Sequence, residues 1–134
     1  MNKTNKIDSM IKYAYNIKVK ALRLLEEENF IAIKKEAEIL SSLWGNHYFF
    51  FKSLFKQCQN KAHAEALEAL FNHTHSGYSL IYLRLILMVE RDMFRRLNMH
   101  DKEDEINDKI LDIRHQQAQV FEDAEALRQS EEVH

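Results

Sequence analysis

The chain has 134 residues, with no proline, two glycines, one cysteine and a formal net charge of −2. That length accommodates one hydrophobic core without staples, and the lone Cys58 excludes an intramolecular disulfide and suits a reducing compartment. The longest apolar run, Tyr78 to Val89, is too short to span a bilayer and contains Arg84, which excludes a membrane-inserted reading.

Nearly every residue is free to be helical, because proline is absent and only Gly45 and Gly77 punctuate the chain. Ile7, Ile11, Ala14, Ile17, Ala21 and Leu24/Leu25 recur at helical spacing and predict a first helix from about Lys6 to Glu28. Lysines at positions 3, 6, 12, 18 and 20 interrupt this stretch, so no signal peptide is expected and the chain is read as cytoplasmic. Asn29 tolerates a left-handed backbone at a helix end, so a tight reversal is placed there.

From Phe30 to about Gln59 a second helix is expected. Ile33, Ala37, Leu40, Trp44, His47, Phe51, Leu54 and Cys58 follow at alternating steps of four and three, an apolar seam that requires a partner helix. Gln57, Gln59, Asn60 and Lys61 mark the next turn. A third helical region spans Ala62 to Leu97, with Leu67, Phe71, Tyr78, Ile81, Leu85 and Met88 on one face and Leu80, Leu83, Leu87 and Phe94 on another. Asn72 to Gly77 are poor helix-interior residues and are expected to kink or break it.

After a turn at Asn98 to His100, Asp101 is expected to cap the last helix. Ile106, Ile110, Ile113, Gln117, Val120, Ala124 and Leu127 then form a coiled-coil-like stripe, with Gln117 as its polar interruption and fraying expected after about Arg128. The fold expected is therefore all-α: one antiparallel helical bundle of four principal helices, or five if the third region breaks near Gly77.

Charge is unevenly distributed. Lys3 to Arg23 holds six basic residues against Asp8, whereas Asp101 to Glu132 holds eleven acids against four bases. The simplest expectation is that the first and last helices pack as neighbours. A nucleic-acid-associated regulator using Lys12, Lys18, Lys20 and Arg23 is an alternative, but no DNA-reading motif accompanies the lysines.

Chemistry-bearing signatures are sparse. His73 and His75 lie two apart and point about 200° from each other on a helix, so they do not readily share an ion. A two-iron bundle would take Glu-x-x-His on two helices, and the sequence does not supply that pair. The nearest approximation inside a helix is Asp112 with His115. His47 is read as a core histidine, Cys58 lacks a local activating histidine, and Ser76 and Ser79 lack a triad signature. The glycines are too far apart for a phosphate loop. Arg91, Arg95 and Arg96 complement the C-terminal end of their helix, or bind an anion. No enzyme activity, cofactor or metal is expected, and a metal- or cofactor-binding bundle using His47, His73, His75 or His115 is the rival reading.

The most function-like feature is the aromatic run Tyr48-Phe49-Phe50-Phe51. Four consecutive aromatics point all round a helix, so at least one faces outward. Trp44, Tyr48, Phe49, Phe50 and Leu83 are the expected contact residues for a partner helix or for self-association as a homodimer.

The hairpin running from Leu22 and Leu25 through Asn29-Phe30 to Ile33, Glu36, Leu40 and Leu43 resembles that of the FlgN/FliT-type flagellar export chaperones. The resemblance implies a cytoplasmic, non-enzymatic, chaperone-like protein that holds an amphipathic segment of an export substrate and dimerises.

Overall fold

A computed structural model describes residues 3–44, 47–74 and 79–133, and all the regular structure among them is helical. Six helices follow in order: α1 (Lys3–Glu26), α2 (Phe30–Trp44), α3 (Tyr48–Gln57), α4 (Lys61–Thr74), α5 (Leu80–Arg96) and α6 (His100–Val133). None of them is long and apolar enough to cross a membrane.

The count exceeds the expected four or five because both long helices are divided. The second is interrupted after Trp44 and resumes at Tyr48, on either side of Gly45, the residue with the lowest helix propensity in that stretch. The third ends at Thr74 and resumes at Leu80, flanking the Asn72 to Gly77 segment where a break is expected. Gly45, Gly77 and Tyr78 themselves lie outside the described residues.

Two short turns close in the same way. Glu28 and Asn98 adopt positive φ, 54° and 59°. At the first, Asn29 N–H donates to the Leu24 carbonyl (3.0 Å) and Glu28 N–H to that of Leu25 (3.1 Å). At the second, Met99 N–H donates to Phe94 (2.8 Å) and Asn98 N–H to Arg95 (3.1 Å). Each is a Schellman ending that satisfies carbonyls left open by the last helical turn. The left-handed residue of the first turn is thus Glu28 rather than Asn29. Asn29 instead starts α2, its Oδ1 accepting from Ala32 N–H at 3.2 Å. The expected cap at Asp101 is also displaced: α6 begins one residue earlier, and the first helical bond runs from Glu103 N–H to the Met99 carbonyl. Asn60 and Ser79 cap α4 and α5.

The helices then bury one continuous core. α3 lies at its centre, packed against α1, α4 and α5, and contributes Phe50, Phe51, Leu54 and Phe55. Phe51, Phe55 and Phe71 form a triangle of rings with centroids 5.4–5.8 Å apart. Each such buried ring is worth roughly 1.5–3 kcal/mol from burial alone. Ile17, Ala21, Leu24 and Leu25 close the core from α1, Ile33, Ala37 and Leu40 from α2, and Ile106, Ile110 and Ile113 from α6.

α5 and α6 run antiparallel, as the contacts Arg91 to Asn107 and Arg95 to Glu103 demonstrate: one step of four along α5 is matched by a step of four backwards along α6. The buried face of α5 is Ile86, Leu87, Glu90, Met93 and Phe94. Ile81 and Leu85, expected to continue the face of Leu67 and Phe71, are exposed, because the interruption before Leu80 resets the helical phase. α1 packs principally on α3 and α2, and α6 on α5, so pairing of the first and last helices is not the principal arrangement.

Candidate protein-interaction surface

The start of α3 sorts its aromatic run by helical phase. Phe50 and Phe51 turn inward, at 1% and 0% exposure, whereas Phe49 is 61% exposed. Tyr48 is half-buried between them and touches both Phe49 (centroids 5.2 Å) and Tyr82 of α5 (5.7 Å). A row of rings, Phe49, Tyr48 and Tyr82, therefore crosses from α3 to α5. Ile81 and Leu85 are exposed on the same end of α5.

Cations border this row. Lys52 Nζ sits 5.4 Å from the Tyr48 ring centroid, within cation–π range. On the other side of Phe49 a groove between α1 and α3 is lined by Lys18, Phe49, Lys52, Ser53, Lys56 and Gln57. Lys52 and Lys56 stand one turn apart on α3, and Lys18 lines the groove from α1, so an exposed ring lies among three lysines.

Of the expected contact residues, Tyr48 and Phe49 are brought together at the surface. Leu83 is partly buried and packs against the core, and Phe50 is in the core itself. Burial of Phe50 is a correction: α3 starts afresh at Tyr48, and its packing against α1, α4 and α5 requires two inward faces. The Trp44 side chain lies outside the described residues. Tyr82, Lys52 and Lys56 were not singled out by sequence, although the lysines' four-residue spacing around the aromatic run is a visible signal.

The other candidate groups have local roles. His47 is buried and meets Phe51 edge-on at 5.1 Å. His63 Nε2 lies 2.8 Å from Glu28 Oε1, tying α4 to the first turn. His73 and His115 are exposed, as is Asp112, and His75 lies outside the described residues. Among the described residues no three His, Cys, Asp or Glu side chains converge as a metal site requires. Cys58 is buried, its Sγ–H donates to the Asn60 carbonyl at 3.3 Å, and burial pushes its thiol pKa up, the opposite of an activated nucleophile. Lys20 pairs with Glu36 at 2.8 Å, while Lys12 and Arg23 are exposed. In the arginine cluster, Arg95 pairs with Glu103 at 2.8 Å. Arg96 donates to the Phe55 (3.1 Å) and Cys58 carbonyls, capping the end of α3.

A second polar cluster is internal. Glu90 is wholly buried on α5 and neither carboxyl oxygen has a hydrogen-bond partner among the described residues. Burial, and then the charge of nearby Glu68, push its pKa up to about 8, against a smaller opposing pull from Lys109 and Lys102. Glu68 of α4 is itself buried and is held by Lys102 of α6 at 2.9 Å. The sequence carries a signal for both acids. Glu90 falls one turn from Ile86 and from Phe94, and Glu68 one turn from Ala64 and three residues from Phe71, all on buried faces.

No protein-family model, curated protein or solved structure matches the chain.

Proposed function

We propose that this protein is a non-enzymatic interaction module that holds an amphipathic helical segment on the surface formed by Tyr48, Phe49, Tyr82 and the flanking lysines. The observation that carries this reading is the exposure of Phe49 inside a ring of Lys18, Lys52 and Lys56. An aromatic anchor with a cationic rim suits a helix that is apolar on one face and acidic at its edges. The likeness of residues 22–43 to a flagellar export chaperone hairpin points the same way, towards a chaperone-like holder of a helical client.

The test is comparison of the intact protein with Phe49→Asp. Crosslinking in the native cell and light scattering on purified material should show a protein complex, with itself or another chain, that Phe49→Asp abolishes while thermal stability is kept. Complexes that are indifferent to Phe49→Asp would overturn the reading.

A further inference from the structure

The distal part of α6 carries an apolar face that the other described residues leave uncovered. Extending the Arg91 to Asn107 register backwards along α5 places Leu80, its first residue, opposite residue 118 of α6. Residues 119–133 therefore continue beyond the start of α5 by about 22 Å at 1.5 Å per residue. On this overhang Val120, Phe121 and Leu127 are 62%, 70% and 63% exposed. Together with Ala124 they form one stripe, with Asp123 and Glu125 lying about 100° to either side of Ala124.

This is a largely apolar ribbon edged by Asp123 and by Glu125, which pairs with Arg128 one turn from Ala124, and the groove between α1 and α3 is an exposed ring with basic edges. The two are complementary in both respects, and every chain carries one of each. α6 is helical from His100 to Val133 with its first half anchored on α5. A continuous helix cannot fold its far end back without breaking, so the complement is reached on a different molecule. Building on the interaction surface proposed above, we infer that the occupant of the groove is the distal α6 of a second copy, exchanged reciprocally to give a two-fold dimer. In that dimer the stripe of Val120, Ala124 and Leu127 lies on Phe49. Asp123 and Glu125 face Lys52, Lys56 and Lys18. Reciprocal exchange closes the assembly at two copies, since each chain's groove and tail are both satisfied.

Charge reversal in the full chain tests this. One variant carries Lys52→Glu with Lys56→Glu, the other Asp123→Lys with Glu125→Lys, and association is followed by sedimentation equilibrium across a concentration series. The unaltered chain should dimerise, with affinity falling as salt rises. Each variant alone should dimerise at least roughly tenfold more weakly, and mixing the two should restore a mixed dimer, because each groove then meets a tail of opposite charge. Asp123 is exposed, Lys52 and Lys56 line the groove, and Glu125 is half-exposed beside Arg128, so circular dichroism of each variant monitors its fold. A monomeric unaltered chain, variants that dimerise as well as it does, or no recovery on mixing would overturn the inference. If the chain is monomeric yet retains a Phe49-dependent complex with another protein, the partner is foreign and the interaction-module reading stands. If both are absent, both fall.

Discussion

Lys102 Nζ lies 2.9 Å from Glu68 Oε1, joining α6 to α4 beside a second buried acid, Glu90. Hydrogen bonding to Glu68 raises the lysine's pKa, so the ammonium stays charged throughout the neutral range. Replacing Lys102 by methionine keeps the aliphatic stem and leaves a buried carboxylate without its donor. Chemical denaturation should show a loss of about 1–3 kcal/mol, and Glu68→Gln in the same background should recover part of it.

Glu90 sets a distinct pH dependence. Its folded pKa of about 8 stands above the ordinary 4.5, so folding takes up a proton between those values. The stability associated with this group is fully present below pH 4.5 and is lost as pH rises through about 8. Glu90→Gln removes the titration. Relative to the unaltered protein it should gain stability steadily from pH 5 upward, reaching roughly 3 kcal/mol near pH 7. Parallel denaturation curves for the two proteins across this range would contradict the burial of an ionisable group there.

The inward and outward aromatics separate cleanly by mutation. Phe51→Ala and Phe50→Ala should each cost about 3–5 kcal/mol, because a fully packed ring leaves a cavity. Phe49→Ala should change stability by less than about 0.5 kcal/mol. Urea midpoints for the three variants check the assignment, and a large loss at Phe49 would mean that α3 is rotated.

The two left-handed turns predict opposite tolerance for glycine and alanine. Asn98→Gly should be neutral or slightly stabilising, whereas Asn98→Ala should cost about 1 kcal/mol, since a Cβ without a polar side chain is disfavoured at φ 59°. Glu28→Gly relieves similar crowding but removes the carboxylate that meets His63, so its gain should be smaller than relief of a positive φ alone would give. Thermal unfolding of the set provides the check.

Periodicity revealed which residues are buried more reliably than how helices are divided. The seam of Ile33, Ala37, Leu40, His47, Phe51, Leu54 and Cys58 is buried throughout, although it belongs to two helices. Side-chain spacing reports the face, and an interruption that preserves the face leaves little trace in it. Where the interruption shifts the phase, as before Leu80, the reading fails, and Ile81 and Leu85 emerge at the surface. The same ambiguity assigned Phe50 to the partner surface. Which of four adjacent rings faces out depends on packing by α1, α4 and α5, and that is tertiary information. Asn29 marks the boundary but serves its other side, because asparagine suits both a left-handed ending and an N-cap. Burial of the internal acids runs against expectation because glutamate is ordinarily solvated.

Both matching Schellman turns join helices that are neighbours in sequence, and each is secured by bonds spanning only a few residues. A chain organised this way reaches many of its native contacts without closing long loops, and it has no prolyl bond to isomerise. Each end hairpin can begin to form from its own segment, leaving α3, the shared interior helix, to bring the two together. Refolding should accordingly be fast and free of a slow prolyl-limited tail, with its slowest step the seating of α3.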